Sequence, residues 1–325
     1  MTVLPTISTL TRSRVKPGGV GGGSAVGTFG ELLQGVLPDT SDATGTDFLV
    51  TLPITRGSTA VFTPTPASLE VTVEPGDKTK SQRLATDMLA RYGVRCGGHL
   101  TIDSELAEGK GEASSSADMV AAARAIADAF DIPIAPSNIE DMLREIEPSD
   151  GVMYPGVVVF DHRAVRLRAR LGPLPPATIV GIDEGGQVDT VAFNRLPKPF
   201  SDFDKDRYRR LLATMTTAVS RGDLSLVGEV ATQSSVMNQR LRRKRSLPDM
   251  LAICERQGGL GVVTAHSGTT LGVLLAADEP GAAARAEQVH DACSAISDSV
   301  LVEHVRCPDD GVARTGTYAN RRTMS

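Results

Sequence analysis

Three consecutive serines, Ser114, Ser115 and Ser116, follow the glycine-flanked segment Gly109-Lys110-Gly111-Glu112-Ala113 and lead into an alanine-rich stretch from Ala117 to Phe130. Glycines let backbone N–H groups approach an anion with no Cβ in the way, and the first turn of a helix adds unpaired N–H groups that favour negative charge. The segment therefore reads as a phosphate cradle, with one of the three serines as the helix N-cap. Met119, Ala123, Ile126 and Phe130 recur on one side of a 3.6-residue period, with Asp118, Arg124 and Asp128 on another, which predicts the helix. A turn followed by a capped helix, binding nothing, suits the same residues. A Walker A loop does not: that motif requires Gly where position 104 is Ser, and Ser or Thr where Gly111 follows Lys110.

A second constellation lies at Glu147-Pro148-Ser149-Asp150. Phosphoryl transfer asks a protein to position two substrates and neutralise charge around a magnesium ion, which binds hydroxyl and carboxylate oxygens and keeps several waters. Ser115 and Glu147 are the candidate metal ligands. Asp150 is the candidate to orient or deprotonate an alcohol, although an Asp in a Pro-Ser-Asp turn can also simply cap that turn. In Gly30-Glu31-Leu32-Leu33-Gln34-Gly35, the polar Glu31 and Gln34 stand in an otherwise apolar setting, so Glu31 either meets a ligand cation or amine or caps the backbone of a turn. Ala265-His266-Ser267-Gly268 forms a further turn. Adjacent Ser and His face poorly toward each other and no Gly-x-Ser-x-Gly elbow is present, which argues against a serine hydrolase. The basic run Arg240 to Arg245 reads as a solvated helix end in preference to a phosphate or nucleic-acid contact.

The elements that must carry these groups follow from pattern. Phe48 to Ile54, Ser58 to Thr63 and Leu69 to Glu74 read as strands, Ser81 to Tyr92 as a helix stopped by Gly93, and Gly98 to Leu106 as the strand that delivers the chain to the serine loop. Asn138 to Ile146 is a short helix and Val157 to Arg163 a buried strand. The run of arginines and prolines from Arg163 to Pro176 marks a boundary, after which Thr178 to Asp183 opens a second unit. Helices over Asp202 to Gly222, Asp223 to Arg240 and Leu247 to Gln257 precede a glycine-rich hairpin of Val262 to Thr264 and Thr270 to Ala276. A helix from Gly281 to Ile296 and a strand from Ser299 to Arg306 complete an α+β arrangement.

The chain has 325 residues, long enough for two units at a prior of about 150 residues each. Its 41% hydrophobic and 22% charged content describes an ordinary soluble protein, and a net charge of -5 supplies no global field for nucleic acid. No apolar run suits a membrane span, and the N-terminus lacks the apolar core of a secretory signal. Cys96, Cys254, Cys293 and Cys307 show no CxxC pair, which points to reduced thiols and a cytoplasmic protein. Residues 1–24, rich in Gly and Pro, read as a mobile lead-in, and residues 311–325 as a mobile tail.

Taken together, Gly30-Glu31-Leu32, Gly111 to Ala117 and the glycine-rich hairpin Gly258 to Gly272 resemble the three motifs of the GHMP kinases. Within that superfamily the chain is most similar to the L-threonine kinases of propanediol utilisation and cobalamin metabolism. The likeness is carried by Gly30 to Gly35, Gly109 to Asp118, Glu147 to Asp150, Phe160-Asp161-His162, Asn238-Gln239 and Ala265 to Gly268. The resemblance implies a two-domain fold, with a domain at residues 25–170 like the second domain of ribosomal protein S5 and a ferredoxin-like domain at residues 171–310. It implies an ATP-dependent kinase that makes O-phospho-L-threonine, or that phosphorylates serine, homoserine or a related amino alcohol; a non-catalytic nucleotide or metabolite sensor is the alternative, against which Ser115, Glu147 and Asp150 together argue. Lys110, Gly111, Ala113, Ser114, Ser115 and Ser116 would hold ATP, Ser115 and Glu147 would hold Mg2+, and Asp150 would be catalytic. Glu31 and Gln34, with His266 and Ser267 closing from the second domain, would hold the hydroxy amino acid. A homodimer is left open. Glu112 and Ala113 depart from the usual Leu-Gly of the phosphate loop.

Overall fold

The computed structural model describes residues 19–39, 44–188, 196 and 198–306. Residues 1–18 of the expected lead-in, the expected tail 311–325 and Cys307 lie outside the described residues.

A long strand, β1 (Gly21–Leu37), runs through the middle of a ten-stranded sheet. On one side it pairs antiparallel with β2 (Thr46–Thr65), followed in the sheet by β4 (Gly97–Ser104) and β3 (Val71–Glu74); β3 and β4 form a parallel pair. On the other side β1 meets β8 (Gly261–Thr264) at a single pairing, Glu31 with Thr264, and the sheet continues through β9 (Thr270–Ala276), β7 (Ala177–Asp183) and β10 (Val300–His304). The hairpin of β5 (Val157–Asp161) and β6 (Arg166–Gly172) branches from β2. The division expected at residue 170 falls inside β6, whose pairing with β5 continues to Gly172.

Seven helices cover this sheet among the described residues: α1 (Thr79–Arg91), α2 (Ser114–Ala129), α3 (Pro136–Arg144), α4 (Asp202–Arg221), α5 (Leu224–Asn238), α6 (Leu247–Arg256) and α7 (Ala282–Ser294). In the last four strands successive side chains serve two cores. Ile179, Leu274 and Val263 join the main core, whereas Val180, Leu271, Val273 and Val262 pack with Leu247, Met250, Ile253 and Val289 of α6 and α7. Strands buried on both faces carry no polar alternation, which is why their sequences read as continuous apolar runs.

The glycine-rich run before Ala25 is part of this framework. Gly21 to Ser24 pair with Phe62 to Thr59 inside β1, so the expected lead-in is strand from Gly21 onward. A Cβ on Gly21 would lie 2.2 Å from the Ala125 carbonyl oxygen, and one on Gly23 would lie 2.2 Å from that of Ala121. The missing side chains let α2 lie directly on β1, and the alanines of α2 make the matching concession. Arg124 fastens the contact by donating to the carbonyls of Ser24 (2.6 Å) and Met153 (3.0 Å). Gly23→Ala is expected to destabilise the protein by about 1–3 kcal/mol, the usual range for overpacking, read as a lower urea midpoint at unchanged slope.

Candidate active site

The serine loop takes its shape from alternating backbone conformation. Gly109, Gly111 and Ala113 have φ of 71°, 89° and 58°, so every second residue is left-handed. Such alternation turns successive N–H groups toward one side and forms an anion-binding concavity. Helix α2 starts immediately after it, with Ala113 as the N-cap and no side-chain cap. This corrects the expected serine cap: Ser114, Ser115 and Ser116 are the first three residues of the helix, and the first amide bonded back along it is that of Ala117, to the Ala113 carbonyl (2.9 Å). The N–H groups of the three serines remain for a ligand.

Both halves of the sheet hold this loop in place. Thr28 and Gly30 of β1 donate their amides to the carbonyls of Glu112 (3.1 Å) and Gly111 (3.0 Å), and the Thr269 amide donates to the Lys110 carbonyl (3.1 Å). Gly30, with φ 53°, sits where a Cβ would meet the Thr264 carbonyl oxygen at 2.4 Å, so the hairpin turn can close on β1 only over a glycine. Behind the turn, the Gly268 carbonyl accepts from the buried Lys244 ammonium and from Arg242 Nε (3.1 Å). The basic run is a solvated helix end at Arg240, Arg243 and Arg245, which are exposed, but Lys244 departs from that expectation by turning inward. Burial and the neighbouring Arg242 push the Lys244 ammonium down to about 8.

An open cleft of about 350 Å³ lies over the loop, lined by residues 111–116, by Glu147, Pro148 and Asp150, and by Glu31 and Ser267. Ser115 Oγ donates to Glu147 Oε1 at 2.5 Å, and Ser116 Oγ accepts from the Asp150 amide at 3.2 Å. The serine turn and the acidic bend expected to work together are thus in direct contact. Asp150 is half-buried; desolvation first, then Glu31 and Glu147, raise its carboxyl to about 7. Ser115 Oγ and Glu147 Oε1 form a pair of hard oxygen donors, a set that suits a magnesium ion completing its shell with waters and phosphate oxygens.

Two lysines escaped the sequence reading. Lys78 and Lys80, at the start of α1, line the same cleft as the serine loop. Lys80 Nζ bonds Glu147 Oε2 (2.5 Å), while Lys78 Nζ lies between Glu108 Oε1 (2.6 Å) and Asp118 Oδ2 (3.0 Å). Burial opposes the charge on Lys78, but the two carboxylates outweigh it and hold the ammonium above its usual range. The available signal was a Lys-x-Lys pair just ahead of an amphipathic helix. Lys110 behaves otherwise: its ammonium bonds Asp183 (2.5 Å) and the Gly186 carbonyl (2.7 Å) and does not line the cleft.

Residues 80–156 match the sequence pattern of the GHMP kinases N terminal domain, and that span holds the serine loop, Glu147 and Asp150. This stretch of the chain is a GHMP kinases N terminal domain. An L-threonine kinase of Salmonella typhimurium is 26% identical over 261 residues, covering 76% of this chain and 80% of the relative. One from Citrobacter freundii is 25% identical over 252 residues, covering 76% and 83%. Among solved structures, homoserine kinase from Cytophaga hutchinsonii superposes with a TM-score of 0.69 at 15% identity over 92% of this chain and 98% of that one. L. major mevalonate kinase in complex with R-mevalonate gives 0.65 at 15% identity over 91% and 99%. The architecture is the α+β two-domain fold of these kinases, and the protein is a phosphotransferase acting on a hydroxyl group. Among the described residues no helix is long and apolar enough to cross a membrane.

The remaining site residues lie along the seam between the two halves of the sheet. Glu31 Oε2 accepts from both the backbone amide (3.0 Å) and Nδ1 (2.8 Å) of His266. His266 Nε2 lies 3.0 Å from Ser234 Oγ, which itself accepts from the Gln34 amide (3.1 Å). With its Nδ1–H donated to Glu31, His266 accepts at Nε2 a hydrogen bond from the Ser234 hydroxyl, so one tautomer satisfies the whole chain. The His266 side chain is fully buried and occupied at both nitrogens, so it holds Glu31 and does not itself face the cleft. Gln34 is buried beside His162, their Nε2 atoms 3.5 Å apart, and Gln34 Oε1 and His162 Nδ1 are left without partners among the described residues. Burial drives the His162 imidazole down to about 4, so it is neutral at pH 7.

Proposed function

We propose that the protein transfers the γ-phosphoryl group of ATP to the side-chain hydroxyl of L-threonine, giving O-phospho-L-threonine and ADP. The observation that carries this reading is the convergence, in one cleft, of the serine loop, the Ser115–Glu147 pair, Asp150 and the free edge of Glu31. The left-handed loop and the first turn of α2 receive the triphosphate on backbone N–H groups, and Lys78 and Lys80 supply positive charge in the same cleft. Ser115 and Glu147 would hold Mg2+, whose chemistry here is to neutralise charge on the phosphate oxygens. Asp150, raised to about 7, accepts the hydroxyl proton as the acceptor oxygen bonds to the γ-phosphorus and the bond to the β-phosphate oxygen breaks.

An amino-acid acceptor is favoured by the carboxylate of Glu31. Its Oε2 is consumed by His266, while Oε1 has no partner among the described residues and stands at the cleft, where it suits an α-ammonium group. The similarity over three quarters of the chain to the L-threonine kinases of Salmonella typhimurium and Citrobacter freundii supports threonine as that amino acid. The cytoplasm is the proposed compartment, in keeping with the free thiols of Cys96, Cys254 and Cys293, and cobalamin side-chain synthesis is the proposed use of the product. The test is ADP formation from ATP and Mg2+ with L-threonine, L-serine, L-homoserine and simple amino alcohols in turn. L-threonine is expected to give the highest kcat/KM. The same assay is run with simple alcohols that lack an amino group, and rates with these equal to that with L-threonine would rule out the role given to Glu31.

A further inference from the structure

Resting on the nucleotide reading of the serine loop, we infer that Arg56 and Glu112 are positioning residues that hold the phosphate loop in its binding shape. Their ion pair is the device that lets an alanine, rather than a glycine, occupy the left-handed position 113.

Ala113 is one of three non-glycine residues with positive φ among the described residues, and the only one of them next to the cleft's serines. An L-residue there is disfavoured by roughly 1–2 kcal/mol, so a loop free to relax would leave this conformation. The neighbouring Glu112 is anchored through both carboxylate oxygens and its backbone carbonyl. Its side chain is 3% exposed; Oε1 accepts from Arg56 NH2 at 3.0 Å and Oε2 from the Ala107 amide at 2.8 Å. Its carbonyl accepts from the Thr28 amide. The peptide units on either side of Glu112 belong to the alternating left-handed run, so fixing Glu112 fixes the direction of their N–H groups.

Arg56 is itself held. Its guanidinium donates through Nε to both oxygens of Glu303 on β10 (2.8 and 3.0 Å) and through NH1 to the Glu105 carbonyl (2.5 Å) at the end of β4. One planar fork thus ties the phosphate loop to β10 at one end of the sheet and to the residue that follows β4, a geometry that lysine cannot reproduce. The Glu303 pair persists when Glu112 is changed, so variants at Glu112 do not strand a charge on Arg56.

The test is a double-substitution cycle read by calorimetric binding of ATP with Mg2+, without acceptor and below the unfolding temperature. Glu112→Leu removes the tether and is expected to weaken binding by about tenfold or more, as loss of an outer partner of a site commonly does. Ala113→Gly removes the strain; combined with Glu112→Leu it should restore most of the affinity lost relative to Ala113→Gly alone, because a glycine loop needs no tether. A role confined to overall stability would instead lower the unfolding temperature and leave the dissociation constant alone. Glu112→Leu binding like the wild type, or the double variant binding as weakly as Glu112→Leu, overturns the inference. Absence of binding by the wild type overturns the nucleotide reading as well.

Discussion

Asp150→Asn lowers turnover by at least ~100-fold and makes the protein more resistant to unfolding under mildly alkaline conditions. The two effects share one cause. The Asp150 carboxyl is raised to about 7 by desolvation, with Glu31 and Glu147 adding repulsion. An acid whose folded value lies above its unfolded one binds its proton more tightly in the folded state, so stability is greatest while both states are protonated. It falls as pH rises from the unfolded value, near 4, through the folded value, near 7. Above that window the ionised carboxylate is a standing cost of the fold. A neutral amide removes it, with a gain of about 1–3 kcal/mol after allowing for water in the open cleft. The gain should vanish near pH 4, where the wild-type group is neutral in the folded protein. Urea unfolding of both proteins across this range, alongside steady-state rates, checks the pairing. In the wild type, kcat/KM should fall on acidification through about pH 7 as the base is protonated. A variant that loses activity without any alkaline gain in stability would mean that Asp150 is turned toward water and is not the strained base assigned here.

The parts of this site legible in the sequence are those whose chemistry is local. Glycines at alternate positions before serines announce an anion loop because both the left-handed backbone and the open N–H groups are properties of a few consecutive residues. The helices after Thr79, Asp202, Asp223 and Leu247 begin and end close to where periodicity and capping residues place them. The long-range contacts were not legible. Ser234 is an unremarkable helix residue until β1 and the hairpin turn bring Gln34 and His266 to it, across sequence separations of 200 and 32 residues. Lys244 looked solvated because its run is basic, yet the turn at Gly268 buries it. Arg56 carried no motif at all, and its role depends on Glu303, 247 residues away. The glycines before Ala25 read as a flexible lead-in because composition cannot distinguish mobility from the close approach of a helix. The serine cap failed for a similar reason: the loop enters α2 through a left-handed Ala113, and no propensity scale favours alanine there.

Glu31 separates recognition from folding by the choice of substitution. In Glu31→Gln the amide oxygen can take the place of Oε2 and accept from the His266 amide and Nδ1, so the seam between β1 and the hairpin turn is kept. What changes is the atom at the cleft, where an amide N–H replaces a carboxylate oxygen. An ammonium group then loses a charge-assisted bond worth about 1.5–3 kcal/mol and meets a donor instead, so KM for the acceptor should rise by roughly 10- to 100-fold. KM for ATP should move little, because the phosphate loop receives its amide bonds from Thr28, Gly30 and Thr269 and not from the Glu31 side chain. Glu31→Ala behaves differently. It leaves two buried donors of His266 without an acceptor, cuts the chain through Ser234 to the Gln34 amide, and should cost about 2–4 kcal/mol of stability. Measuring both Michaelis constants for the Gln variant, with unfolding curves for both, distinguishes a carboxylate that recognises the acceptor from one that only closes the seam. An unchanged acceptor KM in a folded Glu31→Gln protein would assign Glu31 to the seam alone.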